Sequence, residues 1–147
     1  NMLARRDACL LAGCVLTPPP GEAARLLSRT VGEIERDRMH AVRQLAGRYG
    51  CAVVLKRAGS LVAAPGRVPV LIDAGNPGMA CGGMGDALTG TIAGLLAQWP
   101  QASFEAAAIG TLLHAVAADA AASEQGERGL LASDLFPHLR RLANATS

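Results

Sequence analysis

The sequence predicts an α/β domain, a largely parallel sheet flanked by helices, and three observations predict it. Short continuous apolar runs at residues 14–17, 51–56 and 70–72 alternate with longer segments whose apolar residues recur at helical spacing. Half of the 147 residues are hydrophobic, yet the aromatics are only Trp99, Tyr49, Phe104 and Phe136. The apolar mass is therefore Ala, Leu and Val, which suits helices packed closely on a sheet. Finally, six of the fifteen residues from Ala74 to Leu88 are Gly or Pro, and this stretch runs straight into an apolar helical segment.

In chain order, residues 2–12 suit a short helix ended near Gly13. Residues 14–17 form a brief strand stopped by Pro18, Pro19 and Pro20, which cannot continue a central strand and stiffen the exit toward a helix at residues 23–28. Thr30 and Glu33 match a capping box. A single helix is expected behind it as far as Arg48, with Ile34, Met39, Val42, Leu45 and Ala46 as its apolar stripe and its charges on a solvated face.

Residues 51–56 are a continuous apolar strand of the kind buried on both faces, with Lys56 at its carboxyl end. Residues 57–60 turn the chain, 61–64 return as a hairpin partner, and 70–72 form a further strand leading to Asp73. After the glycine-rich stretch, residues 87–97 read as a buried helix. Ser103 caps a long Ala-rich helix at 104–123, whose interior polar groups are His114 and Asp119. His114 is expected to be a hydrogen-bonded structural residue. A polar loop at 124–129 precedes a final helix, 135–142, capped by Ser133 or Asp134.

Bulk properties exclude some functions. A net charge of +2 with no basic run interleaved with aromatics argues against nucleic acid as partner. Cys9, Cys14, Cys51 and Cys81 show no C-x-x-C pair or metal-ligand rhythm, so a reduced, cytoplasmic protein is the simplest account. The longest strongly apolar stretch recognised, about 87–99, is too short to span a bilayer. Asn1-Met2 is an unusual start and points to a piece of a longer chain.

In a parallel sheet ligands gather beyond the carboxyl ends of the strands, which brings together the loops at 18–22, 56–60 and 78–86. A glycine-rich turn opening a helix offers unpaired N–H groups to an anion. Asp86, where the glycines stop, has the wrong charge to bind phosphate; it suits a metal, or a proton taken from a hydroxyl beside the phosphate. The plain alternative is a loop that merely packs tightly. Lys56 and Ser60 fit phosphate neutralisation and hydrogen bonding, against the reading of a surface lysine at a strand end. Asp73 suits a cap better than a metal, and Cys81 a small space-filler better than a reactive thiol. No Walker A sequence, G-x-S-x-G elbow or H-E-x-x-H helix is present.

The motifs carry a resemblance to the ADP-dependent NAD(P)H-hydrate dehydratases. Residues 16–27, LTPPPGEAARLL, resemble that family's L-T-P-H-P-G-E-A-A-R-L-L; residues 53–60, VVLKRAGS, resemble V-V-L-K-G-A-G-T. Residues 75–90 are similar to G-N-P-G-M-A-T-G-G-M-G-D-V-L-T-G, and 126–135 to the closing segment. The resemblance implies the C-terminal part of a ribokinase-like, three-layer αβα domain. It implies dehydration of the S form of NAD(P)H hydrate at the expense of ADP or ATP with Mg2+, through phosphorylation of the ring hydroxyl and loss of phosphate.

By position, Lys56, Arg57, Ala58, Gly59, Ser60 and Gly85 would hold the nucleotide. Gly82, Gly83 and Gly85 would form the anion hole, and Asp86 would contact the hydrate and act as base. Pro19 stands where a substrate-contacting histidine is expected, and Cys81 where a threonine is. Family members carry a comparable length of sequence before Asn1. Without it the first strand would be an unpaired edge, which favours a homo-oligomer. A small-molecule kinase and a silent nucleotide-binding module are the alternatives.

Overall fold

A computed structural model describes residues 13–144; the expected helix at 2–12, and Cys9 within it, lie outside the described residues. The sheet has four strands in the order β1 (Val15–Leu16), β2 (Ala52–Leu55), β3 (Ser60–Ala63) and β4 (Val70–Ile72). β2 is buried along its whole length, as its unbroken apolar run requires. Its alternate residues serve two cores. Val53 and Leu55 pack with Ala23, Ile34, Val42 and Leu45 on one face, while Ala52 and Val54 pack with Leu88, Ile92, Phe104 and Ala107 on the other. A strand with period two therefore builds three layers, helix on sheet on helix.

The sheet is mixed rather than largely parallel. β1 pairs with β2 in parallel, whereas β2–β3 and β3–β4 are antiparallel. The physical reason is connection length: the links after β2 and β3 are too short for the crossover that a parallel neighbour needs. β1 lies at the edge, paired on one side among the described residues.

On the first face, α1 (Pro20–Leu27) begins three residues earlier than expected, with Pro20 in the first turn where its missing N–H costs nothing. The capping box forms as read: Thr30 N donates to Glu33 Oε2 at 2.8 Å and Glu33 N to Thr30 Oγ1 at 3.2 Å. The single helix expected behind it is instead two, α2 (Val31–Arg36) and α3 (Arg38–Tyr49). Asp37 breaks it at φ −144° and caps the second helix, accepting from His40 N at 2.9 Å. A short acidic side chain that can bond the backbone ahead of it competes with helix continuation. Ile34, Val42, Leu45 and Ala46 are buried as expected, but Met39, in the first turn of α3, stands out from the core.

On the second face, α4 (Met84–Gln98) and α5 (Ser103–Gln125) pack so closely that a Cβ on Gly110 would lie 2.7 Å from Ile92 Cγ1. Ala102, not Ser103, occupies the cap of α5. α4 buries Met84, Leu88 and Ile92 but exposes Thr89, Gly90, Ala93 and Gly94, so it is half-buried rather than a buried helix. Thr89 lies beside Thr17, just past β1, with the two hydroxyls 3.2 Å apart. α5 is the helix around which this side is built. It is also the described helix long and apolar enough to cross a bilayer, and half of its apolar window is buried in the fold. A third core joins Met84, Ala117, Ala118, Ala121, Leu130 and Leu135, closing α6 (Leu135–Ala143) onto α5. Asp134 caps the turn before α6 by accepting from Leu131 N at 2.8 Å.

Candidate anion and nucleotide site

Three contacts bring the expected loops together. Lys56 N donates to Pro18 O at 3.0 Å, tying the loop after β2 to the loop after β1. The Thr17–Thr89 contact ties β1 to α4. Lys56 Nζ reaches the first turn of α4, where a Cβ on Gly85 would lie 2.9 Å from it. Glycine at 85 thus leaves room for an ammonium against the helix start.

That helix start is open. Gly83 caps α4 with φ +86°, a left-handed conformation that glycine adopts without strain, and no side chain bonds the first N–H groups. α4 begins three residues before the expected boundary, so Asp86 lies inside the first turn rather than ahead of it, and it is exposed. Unpaired N–H groups, the positive end of the helix dipole and Lys56 together favour an anion. An exposed carboxylate stands at its rim. Gly82 is exposed, with open space where a Cβ would be. Close approach therefore accounts for Gly85, backbone conformation for Gly83, and neither for Gly82.

The 56–60 loop is more structured than the sequence suggests. Gly59 has φ +67° and Ala58 is exposed. Ser60 Oγ donates to Arg57 O at 3.1 Å and lies 3.4 Å from Arg57 N, so the hydroxyl closes its own turn instead of standing free to bond phosphate. Arg57 turns to Glu35 at 3.2 Å. Arg38 donates from its two terminal guanidinium nitrogens, Nη1 to Ala58 O and Nη2 to Gly59 O. Read from sequence as part of a solvated face, Arg38 is a clamp on this loop. Pro19 caps α1, its carbonyl accepting from Glu22 N and Ala23 N at 3.0 Å each.

The glycine-rich stretch is anchored from beneath by Asp119. Its two oxygens accept from Gly75 N and Asn76 Nδ2, each at 2.9 Å, and Asn76 Oδ1 accepts from Gly78 N at 3.1 Å. A carboxylate inside an apolar helix was the signal that could have identified this anchor. His114, also on α5, is buried; its Nε2 lacks a hydrogen-bond partner, while the Met84 backbone hydrogen-bonds the ring, in keeping with a hydrogen-bonded structural histidine. Burial holds its pKa below the ordinary histidine value, opposed by the Met84 backbone hydrogen bond and reinforced to a smaller extent by the Lys56 charge. Cys81 is half-buried against the third core, in keeping with a space-filling role. Burial, aided by Cys14, pushes the Cys51 thiol up to about 11.

Asp73 is exposed directly after β4. Among the described residues no three His, Cys, Asp or Glu side chains gather as metal ligands. A separate cleft of about 430 Å³, lined by Glu124, Arg128, His138 and Arg141 among others, belongs to none of the three loops.

The family model for NAD(P)H-hydrate dehydratase matches residues 3–141. The ADP-dependent (S)-NAD(P)H-hydrate dehydratase of Neisseria meningitidis is 45% identical over 139 residues, 92% of this chain and 47% of that protein. Bifunctional NAD(P)H-hydrate repair enzymes also match, and the chain spans about a quarter of their length. Among solved structures, the ADP/ATP-dependent NAD(P)H-hydrate dehydratase of Bacillus subtilis, crystallised with ATP and Mg2+, superposes with a TM-score of 0.81 at 32% identity. That match covers 88% of this chain and 47% of the other. A ribokinase-like superfamily protein of Enterococcus faecalis superposes at 0.71 with 27% identity, over 88% of this chain and 43% of the other.

Proposed function

Because the chain belongs to the NAD(P)H-hydrate dehydratase family, with a ribokinase-like fold, we propose that it supplies the nucleotide-binding part of a site that dehydrates the S form of NAD(P)H hydrate. The observation that carries this reading is the meeting of Lys56, the uncapped first turn of α4 and exposed Asp86. These residues fit a nucleoside diphosphate or triphosphate. Gly83, Gly85 and the N–H groups that follow cradle the transferring phosphoryl group, Lys56 offsets its charge, and the loop from Arg57 to Ser60 supports the AMP portion through its backbone. Gly82 belongs to the same cradle. The nucleotide supplies the phosphoryl group, and Mg2+ arrives with its phosphates.

Asp86 takes the proton from the hydrate's ring hydroxyl as that oxygen bonds to the terminal phosphorus and the bond to the leaving nucleotide breaks. Phosphate is a far better leaving group than hydroxide. Its departure, with loss of a proton from the neighbouring ring carbon, restores the double bond of NAD(P)H. Pro19 offers the substrate apolar contact without a donor. Cytoplasmic location, self-association through the one-sided β1 edge, and the absence of nucleic-acid or membrane partners belong to the same reading; the edge supports the second of these.

The test joins this chain to the preceding half of a relative such as the Neisseria protein. Reduced-nicotinamide absorbance returns from the hydrate only when ADP or ATP is added, and Asp86→Asn lowers kcat at least ~100-fold while nucleotide still binds. Failure with both nucleotides overturns the reading. A stable phosphorylated product in place of free phosphate would mark a small-molecule kinase instead, and binding without turnover a silent module.

A further inference from the structure

Arg38 has no counterpart in the roles assigned above, yet it bonds two successive carbonyls of the 56–60 loop. It is the first residue of α3, set there by the break and cap at Asp37. Its guanidinium donates from Nη1 to Ala58 O at 3.3 Å and from Nη2 to Gly59 O. Its Nε is buried and without a partner among the described residues, while the residue as a whole is half-buried. The pairing is two-pronged: one rigid planar fork holds two consecutive carbonyls.

Peptide geometry then dictates what faces the other way. No cis peptide bonds occur among the described residues, and in a trans peptide the C=O and the following N–H point in opposite directions. Holding the Ala58 and Gly59 carbonyls on the Arg38 side therefore turns the Gly59 N–H away from it, while Ser60, the first residue of β3, is paired with Ile72 of β4. Gly59 at φ +67° takes a left-handed conformation that glycine adopts without strain, which lets the chain turn here. Lys56, two residues before the first clamped carbonyl, runs on to Gly85.

We propose that Arg38 is the positioning residue of the nucleotide-binding loop: it holds the loop's carbonyls from behind so that the Gly59 N–H and Lys56 stay aimed at a phosphate. The proposal rests on the reading of residues 56–60 as a nucleotide loop and adds a residue that never touches the ligand. Lysine would not replace it, since a single ammonium cannot reproduce a fixed two-donor fork.

The experiment measures ADP affinity by calorimetry and the split of nucleotide KM against kcat, in the full chain joined as above. Arg38→Lys and Arg38→Ala are compared with Lys56→Met, and urea midpoints are recorded in parallel. The expected result is a nucleotide KM raised ~10- to 100-fold in the Arg38 variants, the scale of charge-assisted bonds lost, with kcat at saturation within about threefold of the parent. In Arg38→Ala, guanidinium ion at tens of millimolar, far below denaturing levels, recovers affinity, and equal sodium chloride does not. Unchanged KM in the Arg38 variants alongside a weakened Lys56→Met overturns the Arg38 role alone. Unchanged affinity in Lys56→Met removes the nucleotide reading itself. Loss of affinity that follows the urea midpoint and resists guanidinium rescue marks Arg38 as merely structural and equally overturns the proposal.

Discussion

Replacing Gly85 by alanine should make the protein more stable and a poorer nucleotide binder at once. Gly85 is the second residue of α4, at a helical conformation, so alanine there removes backbone entropy from the unfolded chain and raises stability by ~0.5–1 kcal/mol. The new Cβ, however, would lie 2.9 Å from Lys56 Nζ, whereas ordinary contact begins at 3.4 Å. The flexible lysine end must therefore retreat by ~0.5–1 Å, the difference between those two separations and comfortable contact. If its ammonium sits ~3 Å from a phosphate oxygen, moving it to ~4 Å at an effective dielectric of about 20 forfeits ~1.4 kcal/mol, a tenfold loss of affinity. Urea unfolding gives the first quantity, and titration calorimetry with ADP the second. ADP affinity held within twofold would refute the placement of Lys56 against the ligand. A fall in stability would show that something stiffer than a lysine tip borders Gly85.

Two further outcomes follow from the polar groups of α5. Asp119→Asn leaves one oxygen for two donors and turns an amide toward the other, so it should cost ~1–3 kcal/mol and speed hydrogen exchange at residues 75–79; unchanged exchange there would refute the anchoring role. His114 is held neutral by burial, with a folded pKa below the unfolded value near 6.5. The folded state thus binds fewer protons than the unfolded one below that pH. Stability is fully present above ~6.5 and is lost as pH falls toward the depressed folded pKa. The urea midpoint measured from pH 8 to 5 should drop below ~6.5 in the parent and fall less in His114→Gln; identical slopes would remove His114 as the cause.

Much of the candidate site was legible because its signals are local. The glycine run opening a helix, the lysine at the end of an apolar strand and the Thr30–Glu33 box each depend on residues a few positions apart, and each stands in the structure. The errors share a physical origin. Asp37 sits in a run of helix-compatible residues, so only its own backbone-bonding side chain ended the helix. Ser60 read as a free hydroxyl because its competing partner is the backbone of its own turn. Arg38 read as solvated because the carbonyls it clamps are twenty and twenty-one residues away.

By itself the sequence determined the α/β class, the burial of the apolar run at 51–55 and the resemblance to the dehydratases, since periodicity and motif spelling are properties of neighbouring residues. Tertiary structure decided the rest. Short links made the sheet mixed. The meeting of Lys56 with Gly85, of Asp119 with Gly75 and of Arg38 with Gly59 joins groups 21 to 44 residues apart. Such contacts depend on how helices settle on a sheet, and packing, unlike propensity, is not written in any one segment.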